Sequence, residues 1–331
     1  MNIFSTKALF LTCSLLLGME SMQAQNRRDQ APPPPAAPAA APSAPAAPPA
    51  PRTGPRSYKE LITPKAKTTR GLFNVHKIDD KFYFEIKESL FGREIMAITR
   101  FSKVAGGGGV YGGELANQQV VRFEKGPDNK VFMRVVTVIS VADSSQPIYK
   151  AVKNSNLDPI AASFDIKAFG ADSTGAIIDV TDYFKGDNQA VSINPSSKRR
   201  LNLTAIQSDK SYIETIKSFP INTEVRSVKT FGASAAMPGM GAAPSPFPSA
   251  SLPAANAAGV VTLEINNSFI LLPEKPMQKR LNDIRTGYFV DDYTVYSDDQ
   301  QKTEESSFIV RWKLQPKKED IERWKKGELV E

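Results

Sequence analysis

The chain has 331 residues, 42 Lys and Arg against 35 Asp and Glu, and a formal net charge of +7. Lys198-Arg199-Arg200 is its one compact basic run, and elsewhere the two signs interleave as on a solvated surface, which argues against a nucleic-acid partner. A single cysteine and a single histidine exclude a disulfide framework, a cysteine-ligated metal and any site that needs two imidazoles.

Residues 1–24 read as a cleavable secretory signal. Lys7 precedes the apolar run 8–17, and Ala24 supplies a small residue at a cleavage point. An uncleaved anchor is the alternative, but the run falls short of the roughly 20 residues that a spanning helix needs. Cys13 lies inside the run rather than at its end, which argues against a lipid anchor, and cleavage leaves a mature chain without a thiol. The expected location is the periplasm or the exterior, with no membrane span after cleavage. Residues 25–57 read as a disordered Pro/Ala-rich linker, because 31–51 contain only Ala, Pro and Ser, which favour an extended spacer over a core.

Beyond the linker, apolar residues recur with period two. The runs 71–75, 81–87, 120–124, 130–136 and 163–169 predict strands, and so do 261–265, 286–290 and 308–312. Turn residues at Asp79-Asp80, Gly126-Pro127-Asp128-Asn129 and Gly186-Asp187-Asn188 predict hairpin connections, and Asn194-Pro195-Ser196-Ser197 reads as a turn. The pattern divides into a small N-terminal β region, 58–96, and a β-rich domain, 97–331. The Gly/Ala/Pro stretch 232–259 reads as a long irregular insertion in that domain, either disordered or a partner-binding loop. Helices are expected only at 148–154 and at 317–326. In the second, Glu319 with Arg323 and Glu322 with Lys326 are spaced as i,i+4 pairs, and Ile321 and Trp324 share a face. The expected fold is mainly β: antiparallel sheets, sandwich-like or a partly open barrel, with few short helices and a C-terminal helix.

The chemistry-bearing residues are sparse. His76 reads as a structural histidine beside the strand 71–75, and neither an H-E-x-x-H helix nor a Ser-His-Asp triad is expected from it. No G-x-S-x-G elbow and no phosphate loop occur in the sequence. Gly107, Gly109 and Gly112 satisfy G-x-G-x-x-G, but a strand rather than a helix is expected after them, so they predict a hairpin loop instead of a dinucleotide site. Asp291-Asp292 and Asp298-Asp299 are adjacent pairs whose members point to opposite faces of a strand, which suits edges and turns better than catalysis.

The motifs Ser57-Tyr58-Lys59-Glu60-Leu61-Ile62, Gly71-Leu72-Phe73-Asn74-Val75-His76 and Leu90-Phe91-Gly92-Arg93-Glu94-Ile95-Met96 resemble the opening of a family of large secreted zinc-dependent metalloproteases with N-terminal domains of unassigned function. The run Leu272-Pro273-Glu274-Lys275-Pro276-Met277-Gln278-Lys279-Arg280-Leu281-Asn282-Asp283-Ile284-Arg285-Thr286-Gly287-Tyr288-Phe289, with Arg311-Trp312, is the most specific match. The resemblance implies a metzincin-like domain with an extended H-E-x-x-H motif following the point where this chain stops. Zinc would then belong to that domain, and no catalytic or metal residue and no cofactor falls on this chain. Two functions follow. One is a non-catalytic scaffold or substrate-engaging region whose partners are its own downstream catalytic domain and a peptide or protein substrate. The other is a free-standing β-rich envelope protein that binds peptide or glycan. Arg280, Asp283 and Arg285 are expected to form a charged cluster fixing 273–289 against the core or the catalytic domain; a solvated turn is the alternative.

Overall fold

A computed structural model describes residues 54–137, 139–233, 252–311 and 317–328. The chain enters through α1 (Tyr58–Leu61), where the Ser57 amide donates to the Glu60 carboxylate at 3.0 Å. Strands β1 (Lys67–Thr69), β2 (Asn74–Ile78) and β3 (Lys81–Ile86) follow as an antiparallel meander, with Asp79 at φ 50° in the β2–β3 turn. Next come β4 (Ile95–Lys103), β5 (Leu115–Gly126) and β6 (Lys130–Val135). Asp128 and Asn129, both at φ 54°, form the β5–β6 turn, in the left-handed conformation that matches the twist of a hairpin. The rest of the chain forms β7 (Ser140–Ala142), α2 (Ile148–Ser155), β8 (Ile160–Phe169), β9 (Ala176–Asp179), α3 (Thr181–Lys185) and α4 (Pro195–Arg200). It continues through β10 (Leu203–Ile206), β11 (Tyr212–Ser218), β12 (Asn222–Ala233), α5 (Pro253–Ala258), β13 (Val260–Leu271), β14 (Val290–Tyr296), β15 (Glu304–Ile309) and α6 (Lys318–Lys325).

Twelve of these strands form one sheet in the order β1-β2-β3-β9-β8-β6-β5-β4-β13-β12-β10, with β11 also on β12. The sheet curls until its ends meet: the Leu72 amide donates to the Phe219 carbonyl at 2.7 Å, joining the entry of β2 to the exit of β11. Gly71 permits this approach, since a Cβ there would lie 2.5 Å from the Phe219 nitrogen. The fold is therefore mainly β, a nearly closed antiparallel barrel with few short helices, as the alternation predicts. A second sheet, β15-β14-β7, carries a parallel β14–β7 pair.

One end of the barrel is filled by packed rings. Phe73 stacks on Phe84 at 4.9 Å, and Phe269 meets Phe184 edge-on at 5.7 Å. Burying each such side chain contributes roughly 1.5–3 kcal/mol. Phe101, Phe231, Leu252 and Ile265 belong to a second cluster. Between the two runs the segment after α3, and because its backbone is irregular and buried it needs partners. Inward side chains of four strands supply them. Asn117 donates to the carbonyls of Gln189 (2.7 Å) and Ser192 (2.9 Å), Thr99 to Val191 (3.1 Å), Asn267 to Val191 (2.5 Å), and Lys229 to Gly186.

Several expectations need correction. The boundary at 96/97 falls inside β4, which pairs with both β5 and β13, so 58–96 is not a separate region. Gly186-Asp187-Asn188 is no hairpin; it leads from α3 into the barrel. Asn194-Pro195-Ser196-Ser197 opens α4, with the Asn194 carboxamide accepting from the Ser197 amide at 2.8 Å. The insertion is ordered at its end, where Leu252 and Ala255 of the α5 region are buried and Gly259, at φ 66°, terminates the helix. The strand expected at 286–290 starts only at Val290, because Thr286 folds back onto the Asp283 carbonyl and Gly287 turns at φ 66°. On α6 the ion pairs include Lys325–Glu322 at 2.9 Å and Arg323–Glu328 at 2.9 Å, rather than Glu322 with Lys326. The signal with its Ala24 cleavage point, the linker up to residue 53 and residues 234–251 lie outside the described residues. Among the described residues no helix is long and apolar enough to cross a membrane.

Candidate functional site

A cleft of about 850 Å³ lies between the β4 end of the barrel wall and the β14–β15 sheet. Its walls are positioned by the chain leaving β13. The Leu272 amide donates to the Glu94 carbonyl at 3.0 Å, and Arg93 grips the same segment through Glu274 (2.8 Å) and the Leu272 carbonyl (3.0 Å). Pro273 and Pro276 then limit the paths open to the backbone. On the opposite wall Tyr293 and Phe308 lie 5.7 Å apart with their planes tilted by 56°. The Lys279 ammonium sits over both rings, 4.1 Å from Tyr293 and 5.0 Å from Phe308. Burial, and then the nearby Asp291, push the Tyr293 phenol up from its usual range. Arg311 donates to the Gln278 carbonyl at 2.6 Å. Glu94, Asp291, Lys279 and Arg311 line the cleft without an ion pair among the described residues, while Met96 and Met277 add adaptable apolar surface.

The residues singled out in the sequence are distributed differently. Asp283 and Arg285 form a two-point ion pair, 2.8 and 2.6 Å, in an exposed turn, and the arginine holds the Asp283 carboxyl below its usual range. Arg280 is engaged through its carbonyl, which accepts from the Ile309 amide at 3.0 Å, and its side chain is exposed. The three charges do not converge, and the pair is not internal to the barrel, because this stretch folds on itself before β14 begins. His76 is buried on β2, with Nδ1 2.8 Å from the Thr68 hydroxyl and Nε2 3.1 Å from Glu85. The Glu85 carboxyl is lowered, first by that imidazole contact. Both ring nitrogens are thus committed to neighbouring strands. Asp292 accepts from the Ser307 hydroxyl at 2.5 Å, and Asp298 accepts from the amide that starts α2 at 3.5 Å, which are edge and turn roles. Gly107 and Gly109, at φ 87° and 64°, lie in the loop joining the antiparallel pair β4–β5. In the basic run, Lys198 pairs with Asp187 at 2.6 Å and Arg200 with Glu114 at 3.1 Å.

Sequence reasoning missed the cleft. Arg93, Lys279, Tyr293 and Phe308 come from four separate stretches, and only the density of Pro and charge at 273–285 hinted that this region was unusual.

Comparison with known families places the chain. Residues 55–104 match a family described as Domain of unknown function (DUF5118), and residues 113–317 match one described as Domain of unknown function (DUF5117). No curated protein matches, and no solved structure does. The two matched segments meet at the glycine-rich β4–β5 loop, yet β3–β9, β4–β5 and β4–β13 pairing merges them into one sheet. Since the second match covers more than half of the sequence, the chain belongs to the DUF5117 family.

Proposed function

We propose that this chain is a non-catalytic scaffold that engages an extended polypeptide, working in the periplasm or outside the cell beside a zinc-dependent metalloprotease domain of the kind its sequence resembles. The observation that carries the reading is the make-up of the cleft: methionine and proline surface, a ring pair, and unpaired charges of both signs. Such a mixture suits a chain whose side chains alternate in character. A glycan favours an open planar ring face, whereas here the rings are tilted and capped by Lys279. Zinc chemistry belongs, on this reading, to the catalytic domain, since the imidazole of His76 is held by Thr68 and Glu85.

The test is fluorescence anisotropy with a labelled, unfolded polypeptide. Met277→Asp should weaken its binding by at least about tenfold, which corresponds to about 1.4 kcal/mol, while Ile284→Asp, outside the cleft, should leave it unchanged. The reverse result would move the binding surface to the exposed apolar residues Leu281, Ile284 and Phe289. Absence of binding altogether would remove the reading.

A further inference from the structure

The ring pair of the cleft already holds a cation, and that cation comes from the chain itself. Lys279 is exposed, lies on a segment between two prolines and β14, and makes no ion pair among the described residues. Its ammonium nonetheless rests over Tyr293 and Phe308 at 4.1 and 5.0 Å, within the range at which ring faces attract a positive charge. At an exposed site that attraction is weak, so the lysine can leave at little cost. Two carboxylates that line the same cleft, Glu94 and Asp291, have no cationic partner among the described residues. Ring faces and free carboxylates both attract a cation, while Arg311 of the same cleft is turned to the Gln278 carbonyl.

We propose that Tyr293 and Phe308 form a recognition site for a lysine or arginine side chain of the bound polypeptide, and that Lys279 is an internal stand-in which that side chain displaces. This rests on the polypeptide reading above and adds the substrate class to it. Glu94 and Asp291 supply the charge complementarity, and the displaced Lys279 ammonium moves into solvent. The site thus prefers basic segments and discounts its affinity for them by the small competition from its own lysine.

The probe is a set of fluorescein-labelled, otherwise neutral Gly/Ser/Leu peptides bearing one central lysine, acetyl-lysine or norleucine, titrated into the full chain. The lysine peptide should bind at least about fivefold more tightly than the other two. Lys279→Ala should tighten the lysine peptide by about two- to fivefold, the range expected when an exposed cation–ring contact no longer competes. Tyr293→Leu should abolish the preference while preserving affinity for norleucine. Circular dichroism melts of both variants report whether the fold survives, and Phe308→Leu serves as the second variant if Tyr293→Leu does not fold. Equal binding of the three peptides would overturn the cation site and leave the polypeptide reading standing. Weaker binding of the lysine peptide by Lys279→Ala would also overturn it, by making Lys279 a structural clamp. No binding by any peptide would remove both readings.

Discussion

Lys229 carries an ammonium into the barrel interior, and the consequence should be visible in the pH dependence of stability. The side chain is 1% exposed and donates to the Gly186 carbonyl beside the Asp187–Lys198 pair. Burial pushes its pKa down to about 8, with Asp187 opposing the shift and Lys198 reinforcing it. The ordinary value is about 10.4, so between those two values the unfolded chain binds more protons than the folded one. Stability contributed by this group therefore rises with pH through that window and is lowest below pH 8. From pH 7 to 9.5 the rise amounts to about 2 kcal/mol. Lys229→Met keeps the stem and removes the ammonium, at the cost of roughly 1–3 kcal/mol for the carbonyl left unpaired. Near pH 7 the relief of desolvation and the lost bond nearly offset each other, so the diagnostic quantity is the slope. Urea denaturation at several pH values should show the wild type gaining stability on the variant as pH rises. Parallel profiles would refute the reasoning, since they would mean that Lys229 keeps its charge in water.

Three further outcomes follow from the packing. Phe269→Ala empties the meeting point of Phe73, Phe84 and Phe184 and should cost about 3–5 kcal/mol in the same denaturation assay. Gly71→Ala puts a Cβ 2.6 Å from the Phe219 carbonyl at the barrel seam; a loss of about 1–3 kcal/mol is expected, with faster hydrogen exchange at the Leu72 amide. Asp283→Ala removes an exposed ion pair and should leave the unfolding midpoint of the chain where it is, whereas a drop would show that the turn is internal.

The strands were legible because buried side chains recur at alternate positions in 81–87, 130–136 and 163–169, where β3, β6 and β8 fall, although β3 also buries Tyr83 on its other face. Turn chemistry located the β2–β3 and β5–β6 hairpins for the same local reason. What the sequence hid was non-local. Polar residues such as Thr99, Asn117 and Asn267 sit on inward positions, where they weaken the alternation, because the barrel contains an irregular segment that needs their hydrogen bonds. The Asn194-Pro195 start of α4 is a cap with a first-turn proline, and it resembles a turn in the sequence because the helix that follows is short. The glycine loop is legible from the strand β5 that follows it. Arg280, Asp283 and Arg285 stood out by density alone, which reports a tight turn as readily as an anchor. The cleft needed the third dimension, since Arg93 and Phe308 are distant in the chain and meet the same segment only through the exit of β13.

The central claim is that a polypeptide occupies the cleft between the barrel wall and the small sheet. Hydrogen exchange of the full chain, with and without an excess of a reduced and alkylated unfolded protein, tests it most directly. Protection is predicted at 93–96, 277–279 and 308–311, with little change at the exposed strand β1. Protection confined to the edges β1 and β10, or no change anywhere, would contradict the account.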